Sequence, residues 1–139
     1  MGWTKEQETA IDARGCSLLV SAAAGSGKTS VLVERLVRIL SDSENRVPAD
    51  RMIVVTFTKD AAAEMKQRLT AALADMIEKD PENQWLSEQQ LLLQSAKIST
   101  IHSFCFDLIR DNIHELELTG NFRILDETEA GLMESRLIS

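Results

Sequence analysis

The chain has 139 residues, enough for one hydrophobic core and too few for two ordinary domains. Its net charge of −7 argues against a general polyanion-binding surface, so any nucleic-acid contact has to be local. No apolar run approaches a membrane span, and the start, Met1-Gly2-Trp3-Thr4-Lys5-Glu6, lacks the apolar core of a signal peptide, so the chain reads as cytoplasmic.

Residues 4–13 suit a short helix, and Thr4-Lys5-Glu6-Gln7 at its start admits two readings. Thr followed three positions later by Gln is a capping box. Alternatively the Gln7 amide, which donates and accepts together, reads an adenine edge. Residues 17–22 then suit a buried strand, and residues 28–40 a helix carrying Glu34 and Arg38 as an i, i+4 pair.

Between that strand and that helix stands Ala22-Ala23-Ala24-Gly25-Ser26-Gly27-Lys28-Thr29, a phosphate-binding loop in the strand–loop–helix context such a loop requires. Gly25 and Gly27 allow backbone conformations a side chain would forbid, so successive N–H groups can surround phosphate oxygens. The following helix adds its positive N-terminal end. Lys28 is placed for the β- and γ-phosphates and the Thr29 hydroxyl for Mg²⁺, so the expected ligand is Mg·ATP or Mg·GTP. Ala22 stands where the strict pattern has Gly, a difference of one methyl that ordinary dihedrals accept. A Gly-Ser turn that merely starts a helix leaves Lys28-Thr29 unexplained.

Residues 41–50, with Asn45 and Pro48, read as a loop before a second strand at 52–57. Two short, nearly all-apolar strands separated by a helix indicate a parallel sheet covered on both faces. A long helix follows from Lys59, with Ala62, Met65, Leu69, Ala72, Leu73 and Met76 at helical spacing, closed by Asp80-Pro81-Glu82-Asn83. A polar-rich helix over 84–94, a third strand over 97–101 and a helix over 103–113 complete this part. The end offers a short run at 122–125 and an amphipathic segment reaching Ser139.

Thr56, Phe57 and Thr58 fall at the carboxyl end of the second strand, the edge of an open α/β sheet where ligands bind. The two threonines could donate to a DNA phosphate and Phe57 could stack on a base; equally, Thr58 caps the next helix and Phe57 is core. Thr100, His102 and Ser103 repeat the arrangement, either as short donors to a phosphate backbone or as caps. Cys16 and Cys105 lack metal-ligand spacing and read as small core residues, and His114 reads as solvated near a helix end.

Taken together, residues 3–11, 22–29, 56–69 and 100–110 resemble the Q motif and motifs I, Ia and Ib of superfamily 1 helicases of the UvrD/Rep type, in that order. The wording of 22–35 and 98–105 is most similar to the AddA branch, the helicase–nuclease subunits of bacterial AddAB. The resemblance implies an α/β P-loop NTPase (RecA-like) domain, a parallel sheet flanked by helices, forming an incomplete first motor domain. Residues 1–113 would carry the four motifs and 114–139 the start of an inserted helical subdomain.

The resemblance further implies that Gln7 contacts adenine and that Ala24, Gly25, Ser26, Gly27, Lys28, Thr29 and Ser30 line the nucleotide, with Lys28 and Thr29 serving catalysis and Thr29 the metal. Ser30 stands where related members commonly carry Arg, so no base-stacking role passes to it. Thr56, Phe57, Thr58, Thr100, His102 and Ser103 would face single-stranded DNA. The implied cofactors are ATP and Mg²⁺, and the implied partners single- and double-stranded DNA and an AddB-like subunit in a heterodimer, with no membrane. The acidic pair of motif II is not expected in this chain: Ile124-Leu125-Asp126-Glu127 imitates it, but Arg123 interrupts the apolar run that a buried parallel strand should have. A small-molecule kinase or other P-loop enzyme, or a non-catalytic nucleotide-binding module, would share Lys28 and Thr29.

Overall fold

The computed structural model describes residues 2–23, 25–116, 118 and 122–138, with the backbone alone for Glu127 and Ile138. The chain divides into two compact units, Met1–Phe104 and Cys105–Ser139.

In the first unit Thr4 starts α1 (Lys5–Asp12) with a full capping box: the Thr4 hydroxyl accepts from Gln7 N, and Gln7 Oε1 accepts from Thr4 N at 2.9 Å. These bonds satisfy N–H groups that a helix start otherwise leaves open. Helix α2 (Lys28–Ser41) follows the glycine loop. Its residue Val31 packs with Ala10 and Ile11 of α1 in a small apolar cluster beside Trp3, while Leu36, Val37 and Leu40 enter the main core.

A single 3-10 turn, Ala49–Arg51, leads into β1 (Ile53–Thr56). Thr58 caps α3 (Lys59–Lys79) by accepting from Ala61 N at 3.1 Å. Ala62, Met65, Leu69 and Leu73 are buried along α3 at spacings of three and four, the stripe of an amphipathic helix. Asn83 caps α4 (Gln84–Leu92), and β2 (Lys97–Thr100) runs directly into α5 (Ile101–Asp111). The main core gathers Val54 of β1 with Leu36 and Leu40 of α2, Leu69 and Leu73 of α3, and Leu86 and Leu93. Within it Gln89 is fully buried: its Oε1 accepts from Ala49 N at 2.8 Å, which ties α4 to the turn before β1. Trp85 Nε1 donates to the Leu40 carbonyl at 2.6 Å, holding α4 on the end of α2.

β1 and β2 pair in parallel, with Val54 opposite Ile98 and Thr56 opposite Thr100, joined by the crossover through α3 and α4. An α/β architecture with a parallel sheet is therefore present, and two expectations about it need correction. Residues 17–22 form no strand: they are exposed, with Leu19 at 94 %. Their apolar character suits a strand, but a strand needs a neighbour for its N–H and C=O groups, and among the described residues β1 pairs with β2 instead. The sheet is also covered on one face rather than two, since Val54 is buried while Ile53 and Val55 on either side of it are exposed.

In the second unit, Asp126 immediately precedes α6 (Glu127–Ile138), and its Oδ1 accepts from Glu129 N at 2.8 Å. Arg123 holds Glu129 through two nitrogens at 2.6 Å each. The Phe106 and Phe122 rings lie 5.1 Å apart, tilted by 41°. Residues 122–126 form no strand, and the Ile124-Leu125-Asp126 stretch leads into the start of α6. His114 is exposed just past α5, as expected, and the end of the amphipathic segment at Ser139 lies outside the described residues.

Candidate functional site

The glycine loop adopts the backbone its sequence calls for. Gly25 and Gly27 have φ of 79° and 82°, the left-handed region where a side chain is disfavoured, and Gly27 is the N-cap of α2. Ser26 N donates to the Ala23 carbonyl at 3.3 Å, and Val31 N to the Gly27 carbonyl at 2.9 Å, so the loop curls and passes straight into helix. Gly25, Ser26, Lys28 and Thr29 are exposed, and Gly27 and Ser30 partly so; Ala24 lies outside the described residues.

Lys28 folds back over the loop. Its Nζ donates to the Ala22 and Ala23 carbonyls at 2.6 and 2.7 Å. An ammonium ion takes carbonyl oxygens when no stronger acceptor is present, and a phosphate oxygen, carrying full charge, is the stronger acceptor. The Gln7 amide reaches the same loop: Nε2 donates to the Ser26 carbonyl at 3.4 Å while Oε1 stays on the α1 cap. A cavity of about 130 Å³ lies here, with Gln7, Val20, Ser26 and Lys28 among its walls.

Two arginines on α2 fasten α1, and with it Gln7, to the helix that follows the loop. Arg35 Nη1 donates to the Ala10 and Ile11 carbonyls at 2.8 and 3.3 Å, close to the C-terminal end of α1. Arg38 bonds Asp12 at 2.8 Å and Glu34 at 2.9 Å, and these carboxylates hold its guanidinium firmly protonated. Of these contacts the i, i+4 spacing marks only Glu34–Arg38; the role of Arg35 leaves no signal, because a helix period does not say which neighbouring helix will offer open carbonyls.

The two hydroxyl-rich loops leave the same edge of the sheet, since Thr56 and Thr100 are register partners at the carboxyl ends of parallel strands. Phe57 is fully exposed, which overturns its reading as a core residue. It lies just past the end of β1, beyond the pleat whose buried face takes Val54. The cap reading of Thr58 holds, and Thr56 Oγ1 donates to the Thr58 carbonyl at 2.9 Å, bracing the loop beneath Phe57. Thr100 is buried; its Oγ1 accepts from Ser103 N at 3.2 Å and donates to Ser103 Oγ at 3.0 Å, so both residues serve the start of α5. His102, in the first turn of α5, is exposed.

Cys16 and Cys105 are exposed rather than buried. Cys16 adjoins the unpaired 17–22 segment, and α5, which carries Cys105, has no buried residue, so neither thiol has a core to enter. Among the described residues no group of three or more His, Cys, Asp or Glu could hold a metal ion, and no helix is long and apolar enough to cross a membrane.

Comparison with known proteins matches residues 3–139 to the UvrD/REP helicase N-terminal domain. Curated relatives include proteins named as ATP-dependent helicase/nuclease subunits. The one from Clostridium novyi is 54% identical over 98% of this chain, and that from Ruminiclostridium cellulolyticum 53% over 99%. The Clostridioides difficile protein is 48% identical over 98%. The chain spans 11% of the length of each of these relatives. A loop with two left-handed glycines, followed by Lys-Thr at the start of a helix, accords with that match over nearly the whole chain, and this chain belongs to the UvrD/REP helicase N-terminal domain family.

Proposed function

We propose that this chain is the phosphate-binding part, and one wall of the single-stranded DNA groove, of an ATP-dependent DNA helicase or translocase. The intact protein would be the helicase–nuclease subunit of a heterodimer with an AddB-like partner, working in the cytoplasm on single- and double-stranded DNA in double-strand-break repair and homologous recombination. One observation carries this reading: the loop closed by Gly25 and Gly27 folds the exposed Lys28 ammonium back over its own Ala22 and Ala23 carbonyls. The names of the relatives support the activity. On this reading the fold is a RecA-like P-loop domain, with the four motifs in 1–113 and an inserted helical subdomain beginning in 114–139.

The residues fit a nucleotide–metal pair. The N–H groups of the loop from Gly25 to Thr29 would hold phosphate oxygens at the positive end of α2. Gln7 would contact adenine, and Ser30 would border the nucleotide without stacking on the base. Lys28 would leave the Ala22 and Ala23 carbonyls for the β- and γ-phosphates and stabilise charge developing there. The Thr29 hydroxyl offers one oxygen to Mg²⁺, an ion that keeps several waters and takes phosphate oxygens, so a large acidic cluster is not required of these residues. Bound ATP supplies the free energy of phosphoryl transfer. Phe57 would stack on a base without reading its identity, and Thr56, Thr58, Thr100, His102 and Ser103 would brace or contact the DNA backbone.

The test is Lys28→Ala in the intact protein. ATP-driven unwinding is expected to disappear while circular dichroism stays that of the parent; unwinding at the parental rate would remove Lys28 from the site.

A further inference from the structure

The Gln7 amide is used at both ends. Oε1 accepts from Thr4 N at 2.9 Å, fixing the side chain to the start of its own helix, and Nε2 donates to the Ser26 carbonyl at 3.4 Å. A planar trans peptide points its C=O and N–H in opposite directions. Holding the Ser26 carbonyl toward α1 therefore turns the Gly27 N–H away from α1. Gly27 has no side chain to fix that peptide, and its φ of 82° lies in the left-handed region. The Lys28 ammonium restrains a different stretch, the carbonyls of Ala22 and Ala23. The fulcrum is firm, because Arg35 and Arg38 bind α1 to α2.

We propose that Gln7 is a positioning residue for the phosphate loop: its amide sets the Ser26–Gly27 peptide so that a loop N–H is aimed at the polyphosphate before any base is read. The proposal rests on the reading of this loop as a nucleotide-phosphate site. It makes a base-free ligand sensitive to a residue that otherwise caps its own helix and, on that reading, contacts the base.

The experiment is calorimetric titration of the intact protein with Mg·tripolyphosphate and with Mg·ATP. Gln7→Met removes both amide atoms at similar length, and Gln7→Asn keeps the amide but is too short to reach Ser26. Thr4→Val removes the capping hydroxyl and leaves the Gln7 amide in place. Both Gln7 variants are expected to bind tripolyphosphate about three- to tenfold more weakly, the worth of one hydrogen bond, with Thr4→Val unchanged. Loss confined to ATP would overturn the proposal and leave the nucleotide site standing, with Gln7 reading the base alone. Equal loss in Thr4→Val would assign the effect to the helix cap and overturn it too. A parent that binds neither ligand would remove the nucleotide site itself and the proposal with it.

Discussion

A methyl group placed on Gly27 would lie 3.7 Å from Gln7 Nε2, an ordinary van der Waals distance, and at Gly25 it would meet nothing within 4 Å. Space therefore does not demand glycine at either position; the positive φ does. Alanine in the left-handed region costs about 1–2 kcal/mol, and the loop can avoid that cost only by rotating the peptides whose N–H groups would hold phosphate on the proposed reading. Gly25→Ala and Gly27→Ala in the intact protein are each expected to weaken nucleotide binding about five- to thirtyfold with little change in helix content, as read by equilibrium titration and circular dichroism. Parental affinity in Gly27→Ala would show that the left-handed turn is dispensable. A second residue-scale expectation concerns Glu129. Its hydrogen bonds with Arg123 hold its carboxyl below the usual glutamate range. A lowered folded value means that the pair stabilises the second unit fully above the ordinary glutamate range, and that this contribution is lost as pH falls through the lowered value. A carboxyl titration by NMR should show Glu129 moving up toward the ordinary value in Arg123→Gln; no movement would mean that the pair does not persist in solution.

Among the elements, α3 ties the sheet to the helices. Leu69 and Leu73 are fully buried on its inner stripe, while Gln67 faces solvent. Leu69→Ala leaves a hole in the main core and is expected to cost about 2–5 kcal/mol, whereas Gln67→Ala should stay within about 0.5 kcal/mol. Amide exchange along the β1–β2 ladder reads this locally, and equal protection in both variants would mean that the α3 stripe does not hold the sheet. That stripe is legible in the sequence, because a helix of 21 residues repeats its apolar period several times and so selects one face without outside help. The caps at Thr4 and Thr58 are legible for the same reason: their partners are three residues away. Residues 17–22 are not, since an apolar run records the wish to be buried but not the presence of a neighbour. Phe57 and Cys16 follow from that limit, because each has the residue type of a core position while its exposure depends on what else is packed nearby.

In the first unit, apolar side chains are left open both on the unpaired segment and on the sheet. Leu18, Leu19 and Val20 are exposed in the unpaired segment, and Ile53 and Val55 are exposed on β1. Among the described residues β1 pairs along one edge only, with β2. An unpaired strand edge beside branched apolar side chains is a template for pairing with another chain. The relatives, of whose length this chain spans 11%, have ample sequence for strands that would pair with β1 and with residues 17–22 and cover the open face. The 139-residue chain alone is therefore expected to bind a hydrophobic dye and to associate as its concentration rises. A longer form that covers more of the relatives' length should do neither. In that longer form the amides of residues 18–21 should become protected from exchange, since pairing, and not their own sequence, would then fix them as a strand. A monodisperse short chain without dye binding, or a long form in which those amides still exchange freely, would show that the open face is an intrinsic surface of the domain and not the seam where its sheet is completed.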